Sequence, residues 1–392
     1  MSFFNGLDGK EMKIIIIGGG IGGLSTALAL SRAGFEPEVF EQAPALLEVG
    51  AAIAVWPNAM RVLQRLGVGD QVLEKAGLIN QARWLSSHGR VLGKVRFPET
   101  DAPAIALHRA DLQQILLHAL PARSVHLGKR FEAYRQQGPD VLAVFDDGDS
   151  FRCDLLIGAD GLHSRARAQM LGDGPPFFRG YTVWRGVSPF TSKTLLPLTA
   201  MEIYGRGKRF GIGPVGLGRT GWWATANEPE HGAEPPAERQ RKLLALCEGW
   251  CEPVVELIAA TPSESILRNA AFDRPPVKRW RDGNVILLGD AAHPTTPNLG
   301  QGGCMALEDA VLLSRCLLKY REPGQASMTF QALRYARTAA ITRYSLRYGA
   351  IGQWGNSSAV RGREALLSSI PEALAQKLLK LIFDYDAYGV NI

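Results

Sequence analysis

Residues able to do chemistry cluster where apolar runs of this 392-residue chain give way to glycines and acids. The first such place is Lys13 to Glu41. Gly18, Gly20 and Gly23 form G-x-G-x-x-G between an apolar strand and an Ala/Leu-rich helical pattern running to about Arg32. In such a turn the first glycine permits a sharp bend, the second lets backbone approach a pyrophosphate, and the third lets helix and strand pack closely. The helix N-terminus then offers unpaired N–H groups to phosphates. A second apolar strand closes on Glu41, whose carboxylate would accept from a ribose 2′-OH and disfavour a 2′-phosphate. Strand, turn, helix, strand and acid in this order describe a dinucleotide site without separating NAD from FAD.

Two later strands end in the same manner. Cys153 to Gly161 carries an apolar strand that ends in small residues and delivers Asp160 and Gly161, at the strand end where open α/β sheets bind ligands. Asn284 to Asp290 delivers Asp290 after Gly289. A proline-rich crossing through Pro297 and Asn298 then leads by Leu299 to Gly300-Gln301-Gly302-Gly303, which opens a helix to about Leu318. Glycines at a helix start leave bare N–H groups beside a ligand, where developing negative charge is stabilised. His108-Arg109-Ala110-Asp111-Leu112 opens another helix, and an arginine in a first turn opposes the helix dipole unless an anion holds it. The small residues Gly50 to Ala54 allow close contact with something flat or bulky. Asn58, beside Pro57, is placed to cap a helix reaching Gly67. His293 lacks a serine or cysteine partner at a telling position, which speaks against a nucleophilic triad.

The elements positioning these groups divide by texture. Short alternating stretches between residues 78 and 107 read as strands, and residues 124 to 151 as a β-meander with a turn at Asp146-Asp147-Gly148-Asp149. Tyr181 to Val187, Met201 to Gly205, Arg209 to Pro214 and Gly221 to Ala226 read as an antiparallel sheet with an aromatic-rich face. Glu238 to Ala260 is helical with a break near Pro253. A long amphipathic helix spans Met328 to about Gly352, and helical turns follow from Ala359 through Phe383.

Composition narrows the class. A hydrophobic share of 46% with 21% charged residues describes a globular chain with a large core. The formal net charge of +6 comes from scattered Lys and Arg, so it favours anionic ligands without a nucleic-acid motif. Five widely spaced cysteines give neither a disulfide framework nor metal-ligand spacing. Met1 to Met12 has no apolar core or cleavage site, and no apolar run is long enough to span a membrane. A cytoplasmic protein is the simplest expectation.

Taken together, Gly18 to Gly23, Asp160-Gly161 and Gly289-Asp290, with His108 to Leu112 and Pro297 to Gly303, resemble the fingerprints of the class A, single-component FAD-dependent aromatic hydroxylases. These include para-hydroxybenzoate, salicylate and urate hydroxylase-like enzymes and zeaxanthin epoxidase relatives. The resemblance covers roughly residues 12 to 360 and implies an α/β, Rossmann-like FAD-binding domain, an antiparallel-sheet substrate domain and C-terminal helices. The FAD-binding parts would be residues 12–76, 104–176 and 268–325, the substrate parts 77–103 and 177–267, and the helical region 326–392.

The resemblance also implies roles. Glu41 would hold the adenosine ribose and Arg109 the pyrophosphate side, with Gln42 and Val125 also among the cofactor-binding residues. Gly18, Gly20, Gly22 and Gly23 would form the phosphate turn and Ala54 would line the cofactor. Asp160 and Gly161 would serve both the FAD phosphates and NAD(P)H, and Asp290 the ribityl chain. Leu299, Gly300, Gln301 and Gly302 would approach the isoalloxazine. Urate hydroxylase grips its substrate with a basic residue in a G-K-R segment and an aromatic residue on the next strand. Arg209 and Trp222 or Trp223 occupy those positions, with Pro297 and Asn298 completing the catalytic set. That family has an acid where this chain has Asn298, and tryptophan replaces its tyrosine. The implied activity uses NADH or NADPH and O2 to hydroxylate or epoxidise an aromatic or polycyclic small molecule through a flavin C4a-hydroperoxide, without a metal. A flavin oxidase or dehydrogenase, and a non-catalytic flavin and apolar-ligand binder, are the alternatives. Monomer and homodimer are both compatible with the sequence.

Overall fold

The computed structural model describes residues 12–46, 51–189, 192–230, 232 and 234–392. Gly50, the first of the small-residue stretch noted above, lies outside the described residues. A six-stranded sheet carries the glycine and acid motifs. Its order is β18 (Arg281–Asp282), β19 (Val285–Leu287), β12 (Leu155–Gly158), β1 (Ile14–Ile17), β2 (Pro37–Glu41) and β8 (Val125–Leu127). All neighbours are parallel except β18 and β19. Ile14 to Ile17 and Leu155 to Ile157 are buried without alternation, as expected of strands covered on both faces. Register aligns Ile17 with Phe40 and Gly158, and Gly158 with Leu287. Gly18, Glu41, Asp160 and Asp290 therefore all leave the sheet at one carboxyl edge.

Val125 to Leu127 departs from the expected meander. It follows α4 (Arg109–His118) and pairs in parallel with β2, completing a further α/β crossover. The meander consists of β9 (Phe131–Gln137), β10 (Asp140–Phe145) and β11 (Ser150–Cys153). A small sheet of β3 (Ala52–Val55), β7 (Ala104–His108) and β4 (Gly77–Ile79) lies between the two large sheets.

The second large sheet has the order β17 (Leu267–Asp273), β13 (Phe177–Ser188), β16 (Thr220–Asn227), β15 (Lys208–Pro214), β14 (Thr199–Tyr204), β5 (Gln81–Ser86) and β6 (Val91–Arg96). It is antiparallel except where β14 meets β5. Side chains alternate across it. Trp184, Phe210, Ile212, Trp222 and Ala224 pack beneath α6 (Pro236–Leu246) and α7 (Val254–Ala260). The opposite face carries Tyr181, Val183, Arg185, Arg209, Gly211 and Trp223, paired across the strands by register.

Helix α1 (Ile21–Arg32) packs on α8 (Gly302–Tyr320), and α9 (Pro323–Gly352) runs beside α8 and reaches the second sheet. The shorter helices are α2 (Pro57–Arg65), α3 (Gly69–Lys75), α5 (Arg165–Leu171), α10 (Ser357–Ser369) and α11 (Glu372–Phe383). Asn58 does not cap α2. Trp56 precedes the helix, Pro57 begins it, and the Asn58 side chain turns inward to Gln301 and Glu308 at 3.1 and 2.6 Å. Among the described residues no helix is long and apolar enough to cross a membrane.

Candidate active site

The G-x-G-x-x-G turn has the tightness its glycines require. Gly18 has φ +107°, and a Cβ there would stand 2.5 Å from the Ala159 carbonyl oxygen. A Cβ on Gly23 would overlap the Gly18 carbonyl oxygen, whereas one on Gly20 would meet nothing within 4 Å. The first and third positions thus serve packing while the second faces open space. A Cβ on Gly22 would sit 3.4 Å from Ala306 and Leu288, so this glycine also faces the helix packing. Gly20 precedes α1 without a side-chain cap, leaving N–H groups directed into that space. Glu41 accepts from Gly19 N at 2.6 Å and Ala43 N at 2.8 Å, which fixes its carboxylate beside the turn. Gln42 is exposed, and Val125 lies opposite Val39, two residues back from the carboxyl edge.

Asp160 binds the backbone N–H groups of Arg165 and Ala166 through Oδ2, at 2.8 and 3.3 Å. Its Oδ1 is buried without a partner. Burial pushes its pKa up, although Ser164 and those N–H groups act in the opposite direction. Gly161 follows with φ +77° and open space where a Cβ would be.

Asp290 leaves the short turn after β19 with its side chain exposed to solvent within the cleft. The protein around it still desolvates the carboxylate enough to raise its pKa, against the attraction of His293 and Arg109. Gly302, first residue of α8, is close enough that a Cβ on it would lie 3.7 Å from Asp290 Oδ1. Arg109 begins α4 beside the cleft, exposed; its backbone N–H donates to the Ala51 carbonyl, and its guanidinium has no hydrogen-bond partner among the described residues. Gln113, one turn later, donates to the Gly19 carbonyl at 2.7 Å and ties α4 to the glycine turn.

Leu299, Gly300, Gln301 and Gly302 lead into the uncapped N-terminus of α8. Trp56 Nε1 donates to the Leu299 carbonyl at 3.0 Å, and a Cβ on Gly300 would come 2.9 Å from the same indole nitrogen and 3.5 Å from Ala54. Gln301 offers the cleft backbone only. Its side chain is buried against Asn58, which also binds Glu308. Beneath this loop Glu308 pairs with Arg334 and Arg337, and Asp309 with Arg334 and His293. Asp309 also accepts from Gly289 N at 3.0 Å, linking the cluster to the Asp290 turn. His293 therefore has a buried acid as its partner and no nucleophile.

The polar residues of the second sheet meet this loop at Asn298. Arg209 is only 1% exposed and donates to Gln353 Oε1 at 2.9 Å, Glu202 Oε1 at 3.0 Å and Asn298 Oδ1 at 2.5 Å. Burial works against its charge, but Glu202 and the neighbouring tyrosines outweigh this and raise its pKa. Asn298 Nδ2 reaches Thr296 Oγ1 at 2.8 Å, the Ser345 carbonyl at 3.0 Å and Tyr181 Oη at 3.2 Å. Pro297 is exposed at the start of that turn.

Trp222 requires a correction. Its indole donates to Thr261 Oγ1 at 2.9 Å and stacks on Phe210, on the face covered by α6 and α7. Alternation along β16 instead gives Trp223 to the face shared with Arg209, whose guanidinium lies 5.2 Å from the Trp223 ring centre. Gly211 opposite leaves the room that this indole occupies.

Sequence reading missed Gln113, Glu202, Tyr348 and Gln353. Gln113 was accessible, since it stands one helical turn from Arg109 on the same face. Glu202, a lone acid in the apolar strand MEIY seven residues before its partner Arg209, was also visible, but its second partner Tyr348 comes from α9 and carries no local signal.

Among the described residues, an unpartnered carboxylate oxygen, a guanidinium without a partner, two uncapped helix starts and two glycines facing open space suit a diphosphate-bearing, polyhydroxylated cofactor such as FAD. Residues 11–330 match the family model described as FAD binding domain. The chain belongs to the class A FAD-dependent monooxygenases. The aurachin C monooxygenase/isomerase of Stigmatella aurantiaca is 43% identical over 361 residues, covering 91% of this chain and 94% of that protein. Klebsiella pneumoniae HpxO complexed with FAD and uric acid superposes with a TM-score of 0.88 at 31% identity, covering 95% of this chain and 96% of the other. The zeaxanthin epoxidase of Solanum lycopersicum is 32% identical over 87% of this chain, which spans only 54% of that relative. As a class A monooxygenase the chain binds FAD and oxygenates a small molecule.

Proposed function

We propose that this monooxygenase takes its electrons from NADH or NADPH and acts on an apolar, ring-bearing small molecule held between the Trp223 face and the Leu299–Gly302 loop. The reading is carried by the convergence of that loop, Asp290 and the Arg209–Asn298 contact on one place. The relatives' names, which refer to aurachin C, zeaxanthin and urate, support ring-bearing substrates.

The residues divide the work by chemistry. The α1 N-terminus and Arg109 would neutralise the diphosphate, and Glu41 would accept from the adenosine ribose. Asp160 and Gly161 would line the diphosphate side of the cleft, and Asp290 would accept from the ribityl hydroxyls. Redox chemistry, with two electrons from NAD(P)H and one atom of O2 delivered to substrate, would come from FAD. The N-terminus of α8 would stabilise negative charge developing at the ring end of the cofactor. Trp223 and Asn298 would orient the substrate ring, and the surrounding apolar sheet would exclude water. Pro297 would shape the turn that presents Asn298.

Stopped-flow reduction of the flavin by NADH and by NADPH, with a panel of phenols, quinolones, purines and polyenes, tests this. Strong acceleration by one compound, together with an oxygenated product, is expected. Reduction by a panel compound without nicotinamide would make the protein an oxidase or dehydrogenase instead.

A further inference from the structure

We propose that the polar end of the ring pocket is charge-balanced, so that it accepts a ring compound presenting an uncharged polar group rather than a carboxylate or a ring anion. The inference rests on the monooxygenase reading and concerns the substrate class of the same site. Arg209 is the cation nearest Asn298, and all three of its guanidinium nitrogens are already bonded. Its charge is matched by Glu202 at 3.0 Å. Glu202 is itself held, because its second oxygen accepts from Tyr348 Oη at 2.5 Å, and Tyr348 is bonded to Tyr204 at 2.6 Å. The arrangement extends from β14 through β15 to α9, and Gly352 leaves the space in which the Arg209 side chain lies.

Asn298 brings no charge to balance or bind. Its oxygen serves Arg209 and its nitrogen serves Thr296, Ser345 and Tyr181. Nδ2 has two protons for these three oxygens and Tyr181 Oη also lies 3.5 Å from Asn298 Oδ1, so the tyrosine proton is available to a ligand acceptor such as a ring carbonyl when it turns from that oxygen. An incoming carboxylate would instead place a second negative charge near Glu202 in a desolvated site, or would have to displace Asn298 from Arg209. Two further cations stand near: Arg363 lies over the Tyr204 ring at 5.0 Å, bonded to the Gly352 and Gly205 carbonyls with Glu364 and Glu202 both acting on its charge, and Arg185 is on the sheet face itself. It stands two strands away beyond Trp223, with Asn269 Oδ1 at 3.5 Å as its hydrogen-bond partner among the described residues, and its pKa is lowered by burial and by Arg109. Its uncompensated charge thus belongs to the cofactor side, away from Asn298.

Matched ligand pairs test the inference on the FAD-loaded protein. A 4-quinolone with its 2-carboxylate, and a naphthol with its ortho-carboxylate, would be titrated while the flavin absorbance is followed. In at least one pair the uncharged member should bind at least about tenfold more tightly, and in no pair should the carboxylate win. Glu202→Gln releases the charge of Arg209 and should narrow or reverse that preference. Equal or tighter binding of a carboxylate by the wild-type protein overturns the proposal, as does binding of neither member of either pair. An unchanged preference in a folded Glu202→Gln variant also overturns it. Should that variant fail to fold, the wild-type comparison decides alone. Preferential binding of uncharged rings without faster reduction by NAD(P)H would sustain the charge inference while removing support from the monooxygenase assignment for those compounds.

Discussion

The cofactor cleft and the ring pocket adjoin, yet their polar groups stand in opposite conditions. In the cleft, Asp160 Oδ1 has no partner, Asp290 is exposed, and the Arg109 guanidinium is unpaired among the described residues. In the pocket, Arg209, Glu202 and Asn298 are bonded to one another before any ligand arrives. The cleft is built to receive charge and hydrogen bonds from its ligand. The polar groups of the proposed pocket already satisfy one another, so a ligand there would contribute mainly apolar surface. Acids make the same contrast. Burial raises the pKa values of Asp160 and Asp290. For Glu308 and Asp309 burial acts upward too, but Arg334 with Arg337 or His293 outweighs it and their pKa values fall.

The most severe way to break the cleft is Gly23→Val. Its side chain would collide with the Gly18 carbonyl, an overpacking that costs about 1–3 kcal/mol or more, and the turn would no longer present N–H groups to a phosphate. Loss of both FAD and thermal stability is expected. Gly20→Val faces open space, so it should keep the apoprotein's melting temperature while excluding FAD. Flavin absorbance and calorimetry on both variants separate packing from binding. Identical behaviour of the two would remove the distinction between these positions.

The cluster beneath the loop offers the next largest effect. Arg334→Leu leaves Glu308 and Asp309 buried with one cationic partner fewer each, and breaking such a pair costs about 3–5 kcal/mol. Urea denaturation of the apoprotein measures this directly. A loss below about 1 kcal/mol would show that Arg337, His293 and Asn58 suffice.

The two groups of acids should also give opposite pH dependence. Asp160 and Asp290 have folded pKa values above the ordinary 3.8, so their contribution to apoprotein stability is fullest below that value and declines as pH rises through the raised ones. Glu308 and Asp309 have lowered values, so theirs is present above the ordinary 4.5 and 3.8 and is lost as pH falls through the depressed ones. FAD affinity should weaken as pH falls through the raised pKa of Asp290, because the protonated acid is a poorer acceptor. Asp290→Asn should reduce affinity by about tenfold or more and flatten that slope. Fluorescence titration with FAD across pH checks both, and an unchanged slope in the variant would assign the effect to another group.

The same contrast explains what could be read from the sequence. Cleft residues sit at the ends of short apolar strands and at helix starts, where backbone conformation dictates glycine and local spacing is the signal. Gly18, Gly23, Asp160 and Asp290 could therefore be placed on one edge before any coordinates. Pocket contacts join β14, β15, the Asn298 turn and α9. Arg209 and Gln353 are 144 residues apart, and no periodicity announces such a pairing. The position of β8 was obscured because a three-residue strand looks alike in a meander and in a parallel sheet. The choice between Trp222 and Trp223 turned on one residue of strand phase, which neighbouring tryptophans do not reveal.

That phase supplies the mildest and most discriminating comparison. Trp222→Phe keeps a ring against Phe210 but loses the bond to Thr261, whose hydroxyl still donates to the Leu257 carbonyl at 2.7 Å. A stability loss of about 1–2 kcal/mol is expected, with substrate-dependent flavin reduction unchanged. Trp223→Phe has the converse expectation. It trims a half-buried indole that lies over Arg209, so stability should change by less than about 1 kcal/mol while the substrate concentration for half-maximal reduction rises several-fold. Calorimetry and stopped-flow reduction on the two variants test the face assignment residue by residue. If Trp222→Phe alters reduction as strongly as Trp223→Phe, the ring pocket is not confined to the Arg209 face, and the separation between covered core and substrate surface fails.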